Sequence, residues 1–286
     1  MKKFAVIDIG SNSVRLMFVA DGKILYKRLN TTRLGEGLAM SGVLKEEAIE
    51  RSAKAVSDFA AQAKAEGAEN VYAFATAAVR SAQNGGQFTA RVCEYCNINV
   101  EVIAGEMEAE IGIMGALGEQ DGAVVDIGGA STEIVVKEKG VLIYKKSIDI
   151  GVVRLKDMCG RDKNQLISVS KEHVKHFGAV PKSVVHGIGG TATTLGALAL
   201  GLQEYDSEKI TGFVLHRAKM QELSNQLLKM SVDEIAQLSC VPKGRADVLT
   251  GGAVWLNVLM DELGFDEIVI SDRDNLEGYA IRKGLM

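Results

Sequence analysis

Two hexapeptides in this chain carry the residue types needed to hold a phosphate group: Asp8-Ile9-Gly10-Ser11-Asn12-Ser13 and Asp126-Ile127-Gly128-Gly129-Ala130-Ser131. Gly, Ser and Asn tolerate the tight backbone that turns several N–H groups toward one point. A row of such donors binds phosphate oxygens. The Asp that opens each loop offers a hard oxygen suited to Mg²⁺. One such loop is compatible with an ordinary β-turn, but the two share their context. Residues 8–28 and 126–146 align without a gap at an offset of 118, with seven of 21 positions identical. The identities are the Asp, Ile, Gly and Ser of the loop, Gly22 with Gly140, and Tyr26-Lys27 with Tyr144-Lys145. The chain therefore reads as two related half-molecules with the two loops lining one cleft.

Other residues could complete such a site. Gly105-Glu106-Met107-Glu108-Ala109 offers two glutamates at a helix start. Either could accept a proton from water, or simply favour the helix dipole. Asp8, Asp126 and Glu133 are candidates to hold Mg²⁺ directly or through water. The repeat sets Arg15 opposite Glu133, a cation in one copy and a carboxylate in the other. Arg80 and Arg245 are further candidate phosphate clamps, since guanidinium suits bidentate phosphate contact; each could equally form a surface ion pair.

The elements that must position these residues follow from periodicity. Residues 4–9 read as a buried strand, followed by a hairpin of 14–20 and 23–28 turning at Asp21-Gly22. Residues 30–42 read as a Gly-rich loop. Residues 45–66 form a helix with Ile49, Ala53, Val56, Ala60 and Ala63 on one face and Gly67 as its stop. A strand is expected at 71–75, a helix at 88–96, a strand at 100–104 and a helix at 106–117. The second half repeats the order: strand 123–127, hairpin 133–137 and 141–147, helix 163–177, strand 183–187, and helix 191–202 behind the Gly189-Gly190 turn. Two or three helices follow to Gly264, then strand 267–271 and helix 276–285. Each half is thus β-β-β-α-β-α-β-α, a mixed sheet with helices packed on it. The boundary falls near 118–122, giving domains 1–119 and 120–286, and the final helix could return to the first half.

Composition narrows the class. Hydrophobic content of 47% and charged content of 24% suit a globular chain, and 31 Gly against 2 Pro suits sharp turns rather than disorder. A net charge of −4 gives no general electrostatic case for nucleic acid, so a polyanionic ligand needs a local basic lining. No apolar run reaches membrane-spanning length, and residues 4–7 are too short for a signal-peptide core. Four cysteines, few for the length, point to reduced thiols and the cytosol. Cys93 and Cys96 have C-x-x-C spacing without a second pair, and His173 and His176 read as a solvated helix face.

Six segments now come in one order: FAVIDIGSNSVRL from residue 4, ATAAVRSAQN at 75–84, EVIAGEMEA at 101–109, DIGGASTEIV at 126–135, GIGGTATTLGAL at 187–198 and GRADVLTGGA at 244–253. Together they resemble the exopolyphosphatase/guanosine pentaphosphate phosphohydrolase (Ppx/GppA) family over nearly the whole chain, in its short two-domain form. The resemblance implies two ribonuclease H-like domains of the actin-like ATPase and sugar-kinase superfamily with a cleft between them. It implies Glu108 as the catalytic glutamate, the one before Ala in the family's G-x-x-E-A motif. It also implies phosphate contacts at Gly10, Ser11, Asn12, Ser13 and Arg15, at Gly128, Gly129 and Ser131, and at Gly190 and Thr191. Asp126 and Glu133 match the acidic positions of the second loop. Two departures stand out. Ala130 replaces a usual Gly, and Asp274 and Leu276 stand where the family often has Gly and Arg.

The activity implied is Mg²⁺-dependent removal of the terminal phosphate from inorganic polyphosphate, guanosine pentaphosphate or both, by a cytosolic homodimer, with water activated by Glu108. The rival readings are a sugar or acid kinase, which would need an acceptor-hydroxyl site, and an ATP-binding actin-like assembly protein.

Overall fold

The run Phe4-Ala5-Val6-Ile7 is apolar at every position because both of its faces are covered. It lies in β1 (Lys3–Ile9), central in a five-stranded sheet of the computed structural model, which describes residues 2–286. The chain continues through β2 (Ser13–Ala20), β3 (Lys23–Thr31), the short α1 (Leu38–Ser41), α2 (Glu46–Ala65), β4 (Asn70–Ala75), α3 (Ala77–Ser81), α4 (Gly85–Cys96), β5 (Val100–Val102) and α5 (Gly105–Leu117). The sheet order is β3-β2-β1-β4-β5. Ala5, Ile7 and Ile9 pack with Ile49, Val56 and Phe88 from α2 and α4. Phe4 and Val6, on the opposite pleat, pack with Ile103 and Ile111. In α2 the buried residues include the expected stripe of Ile49, Ala53, Val56, Ala60 and Ala63.

The second sheet is built by β6 (Gly122–Ile127), β7 (Thr132–Glu138), β8 (Val141–Ile148), α6 (Val152–Cys159), α7 (Lys163–Val174), β9 (Val185–Ile188), α8 (Gly189–Leu200), α9 (Ser207–Ile210), β10 (Val214–His216), α10 (Arg217–Lys229), α11 (Val232–Ala236), α12 (Ala246–Leu263) and β11 (Glu267–Ile270). Its order is β10-β11-β9-β6-β7-β8. A last helix, α13 (Asn275–Arg282), closes the chain's described elements.

The duplication reaches into fine geometry. β1 pairs antiparallel with β2 and parallel with β4, and β6 does the same with β7 and β9. Asp8 faces Arg15 across one ladder, and Asp126 faces Glu133 across the other. Register shifts fall between Phe18 and Val19 and between Val136 and Lys137, the same place in each repeat. The hairpin turns match too: Asp21-Gly22 has φ of 50° and 74°, Lys139-Gly140 has 52° and 75°. Two positive φ values in succession are what a two-residue hairpin of right-handed twist requires. The result is a mixed α/β fold with two sheets of repeated topology.

The structure differs from the expected element order in its short elements. The first half adds only the short α1 and α3. The second adds α6, has four helices (α9 to α12) where two or three are expected before Gly264, and adds β10, a three-residue antiparallel edge strand too short to register an alternation. The expected helix 163–177 divides into α7 and a 3₁₀ turn at Lys175–Phe177, stopped by Gly178 at φ 66°. The strand expected at 183–187 begins two residues later, at Val185. No helix among the described residues is long and apolar enough to cross a membrane.

Helix α13 packs on the first sheet. Leu276, Tyr279 and Ala280 join Phe4, Val6, Met17 and Phe74 in one cluster, and the Tyr279 ring stacks on Phe74 at 4.5 Å. It crosses α5 at glycines. A Cβ at Gly115 would overlap the Asp274 carbonyl, and one at Gly278 would overlap the Ile111 carbonyl. This close crossing holds the start of α13, with Asp274 and Asn275, at the cleft. Gly278→Ala should therefore destabilise the protein by about 1–3 kcal/mol through overpacking, read as a lower denaturant midpoint. Gly86→Ala, where an added Cβ meets nothing within 4 Å, should leave the midpoint nearly unchanged or raise it.

Candidate active site

The two loops meet. A Cβ on Gly129 would stand 2.6 Å from Ser11 Cβ and 3.2 Å from the Asn12 nitrogen, so only glycine allows this approach. Each loop is closed by the same hydrogen bond, Gly10 N–H to Ser13 O at 3.0 Å and Gly128 N–H to Ser131 O at 3.0 Å. Their carbonyls are committed to the fold. Ser11 O accepts from Gly35 N–H, and Asn12 O from Thr32 and Arg33 N–H. Gly128 O accepts from Val152 N–H, and Gly129 O from Val153 N–H, at the start of α6. Among the described residues, the N–H groups of Ser11, Asn12, Gly129 and Ala130 donate to no backbone acceptor. The loops thus keep their donors for the cavity they line. The third wall is the start of α8, where Gly189 takes φ 74° against Asp126 and Thr191 Oγ donates to Ile127 O at 2.9 Å.

Glu108 lines the same cavity from the first turn of α5 and is 7% exposed. Glu106, two residues earlier, is 80% exposed and lies beside Lys145. Arg80 Nη1 donates to Glu108 Oε2 at 3.1 Å and to Ile103 O at 2.8 Å. Burial is the main force on the Glu108 carboxyl. With repulsion from Asp126 and Asp8 it outweighs Arg80 and pushes the group from 4.5 up to about 8. Burial likewise raises Asp126, to about 6, with Asp274 and Asp8 adding repulsion against Arg15 and Asn275.

Two expected site residues stand elsewhere. Arg80 does not line the cavity: its guanidinium is engaged by Glu108 and a backbone carbonyl, so it braces the glutamate rather than standing free for phosphate. Glu133 also lies behind the cavity wall, taking a hydrogen bond from Ser147 Oγ at 2.6 Å. Burial, then repulsion from Glu108 and Asp126, hold its carboxyl well above the ordinary range. The remaining expected residues, from Asp8 to Arg245, all border one cavity. Sequence reasoning missed Asn275, whose Nδ2 donates to Asp126 Oδ2 at 2.9 Å, and Asp274, which pairs with Arg15.

The cations differ in how free they are. Arg15 is bound on both sides, by Asp8 and Asp274. Arg245 has no carboxylate within ion-pair distance among the described residues, and its Nε is buried without a partner. Its guanidinium lies against Gly190, where a Cβ would collide with it. Burial and repulsion from Arg15 lower it to about 10. A half-buried, unpaired guanidinium beside uncommitted N–H groups is an anion site by its chemistry.

The donor set also suits a hard cation. Buried Asp8 Oδ1, Asn12 Oδ1 and Asn275 Oδ1 have no hydrogen-bond donor. No group of three or more His, Cys, Asp or Glu side chains is placed to hold a metal among the described residues. The expected Asp8–Asp126–Glu133 set is thus not gathered. Asp8 and Asp126 alone are compatible with Mg²⁺, which is commonly held by one or two carboxylates plus water and substrate phosphates.

A profile of the Ppx/GppA phosphatase family matches residues 14–285. The chain belongs to the Ppx/GppA family. It is 33% identical to exopolyphosphatase 2 of Mycobacterium tuberculosis, with 98% of both chains covered. It is 27% identical to a guanosine-5'-triphosphate,3'-diphosphate pyrophosphatase of Aeromonas hydrophila, over 99% of this chain and 58% of that one. Among solved structures, the Ppx/GppA family member of Aquifex aeolicus superposes with a TM-score of 0.80 at 28% identity, covering 99% of this chain and 98% of that one. As a Ppx/GppA protein, the chain departs from the family pattern in ways the structure accounts for. Leu276, where the family often has Arg, is a fully buried residue of the cluster under the first sheet. Ala130, where Gly is usual, is buried with its N–H still uncommitted.

Two outcomes test these charges. Arg245→Gln should weaken orthophosphate binding roughly 10–100-fold, the range for hydrogen bonds to a charged group. Its denaturant midpoint should hold or rise, because an unpaired, poorly solvated charge is lost. A lower midpoint with unchanged binding would make Arg245 structural. For Glu108 the sign runs oppositely in stability and activity. In metal-free protein its proton favours the folded state, a contribution fully present below 4.5 and lost as pH climbs through about 8. With Mg²⁺ present, kcat/KM should instead rise with pH as the carboxylate forms, along a limb below about 8 because the cation offsets the repulsion from Asp126 and Asp8. Glu108→Gln should lack that limb.

Proposed function

We propose that this protein is a Mg²⁺-dependent phosphohydrolase that removes the terminal phosphate of inorganic polyphosphate or guanosine pentaphosphate. One observation carries the reading. A buried, proton-poised Glu108 opens onto the same cavity as two sets of uncommitted loop N–H groups and the unpaired Arg245. The names of the relatives, an exopolyphosphatase and a guanosine-5'-triphosphate,3'-diphosphate pyrophosphatase, support the substrate class.

In this mechanism the loop N–H groups and Arg245 grip the terminal phosphoryl oxygens and spread the charge that builds on them. Glu108, held by Arg80, accepts a proton from water aligned for in-line attack. Asp8 and Asp126 would hold Mg²⁺, which when bound would neutralise negative charge on the phosphates. Asn275 fixes the orientation of Asp126. A cytosolic homodimer belongs to the same proposal. The four free cysteines support the compartment, and sedimentation of the purified protein tests the dimer.

The decisive experiment follows orthophosphate release from tripolyphosphate, long polyphosphate and guanosine pentaphosphate with Mg²⁺ and no acceptor, beside ATP as a control. Release from at least one of the first three, with polyphosphate shortened from its end, is expected. Glu108→Gln should slow turnover by about 10²–10⁴-fold while still binding substrate. No release without an added hydroxyl acceptor would point to a kinase instead. Equal loss of binding and rate in Glu108→Gln would make that residue structural.

A further inference from the structure

Arg15 is the cation of the first loop, yet its charge is already taken. Its Nε donates to Asp8 Oδ2 at 3.0 Å, and its Nη1 is taken by Asp274. Asp8 is its neighbour across the β1–β2 ladder, so that pairing comes with the strand register. Asp274 is different. It arrives from 259 residues away, at the start of α13, and is 6% exposed. It is the N-cap of that helix, with Oδ1 accepting from Leu276 N–H at 3.1 Å, which leaves the other oxygen for Arg15. Arg15 and Arg245 line both the catalytic cavity and the wider groove beside it, and Asp274 lines that groove. The contact therefore stands where a phosphorylated ligand would extend out of the cavity.

Asp274 brings a carboxylate to this wall of the groove. Capping alone does not explain the choice. Asn and Ser cap helices about as well as Asp, and neither would bind Arg15 as a charge. Lys27, which also lines the groove, is committed to Glu277 at 2.7 Å and Asp272 at 3.4 Å.

We infer that Asp274 is a specificity-determining residue, a built-in competitor that occupies Arg15 in place of a substrate phosphate oxygen and weakens the hold on polyanions. The inference rests on the reading of the cavity as a phosphate site. To be bound by Arg15, a phosphate must displace the Asp274 carboxylate or approach against its charge. Substrates whose second and third phosphates reach Arg15 are the most affected.

Asp274→Asn isolates the effect. Its amide oxygen keeps the cap to Leu276 N–H, and its NH₂ can only repel the guanidinium, which frees Arg15. Tripolyphosphate binding is measured by calorimetry in a Glu108→Gln background, so that nothing turns over, with and without Asp274→Asn. Affinity should rise roughly tenfold or more, the scale of a hydrogen bond to a charged group. In the active protein KM should fall more than kcat changes. The gain should vanish when Arg15→Gln is added, and Asp274→Ser, a second neutral cap, should reproduce it. If the parent binds tripolyphosphate and neither neutral variant binds it more tightly, the inference fails while the phosphohydrolase reading stands. It fails in the same way if the gain survives Arg15→Gln, or if the variants lose Mg²⁺ dependence. If no variant binds tripolyphosphate or releases phosphate from any substrate, the phosphohydrolase reading fails first and this inference with it.

Discussion

Six buried carboxylates, Asp8, Glu108, Asp126, Glu133, Asp274 and Glu277, gather around the junction of the two sheets with three guanidinium groups. Like charges in a poorly solvated space repel, and they relieve that repulsion by taking up protons or attracting cations. The rest of the architecture keeps them there anyway. Asp8 and Asp126 end central strands whose registers are fixed by apolar faces. Glu108 is held by the first turn of α5, and Asp274 by the cap of α13. None of these positions can relax away without unpicking a core cluster. The result is a cavity with a standing demand for positive charge and spare N–H donors, which is the environment a metal-bound phosphoanhydride supplies.

Duplication explains how both halves of that cavity arose from one pattern and why they differ. The strand, loop, hairpin turn and bulge recur at the same places. The cross-strand partner of the Asp does not: Arg15 in the first copy, Glu133 in the second. The first copy's Asp is neutralised within its own hairpin. The second copy's Asp has a carboxylate partner and takes its hydrogen bond from Asn275 of α13 instead. The asymmetry makes one loop self-balanced and the other dependent on groups brought from elsewhere in the chain.

What the sequence disclosed was whatever is local. The loops, the hairpins and the α2 stripe are each written within about 25 residues, and α/β architecture follows from their order. The Glu106 and Glu108 pair shows the limit. Two residues apart on a helix means roughly 200° of rotation, so only one can face the cleft, but spacing does not say which. Family likeness chose Glu108, and burial sets the two apart. Asn275 and Asp274 were illegible as site residues because their partners lie 149 and 259 positions away. Arg80 looked like a phosphate clamp because a lone Arg in a small-residue segment carries no sign of its ion partner. Glu133 looked like a ligand because cross-strand position does not reveal how a side chain turns among other carboxylates.

Helix α13 has a consequence for how the protein is made. Strands β1, β2 and β4 present Phe4, Val6, Met17 and Phe74 to a surface that is fully sealed only when Leu276, Tyr279 and Ala280 arrive. During vectorial synthesis the first sheet leaves the ribosome long before this lid exists. Part of an apolar face stays uncovered while the second half is translated. One face of the N-terminal sheet is therefore completed only once the last helix has been made. The same late docking event delivers Asn275 to Asp126 and Asp274 to Arg15. Docking of α13 thus completes one face of the first sheet and brings two polar groups to the cleft, tying the site to the closed fold.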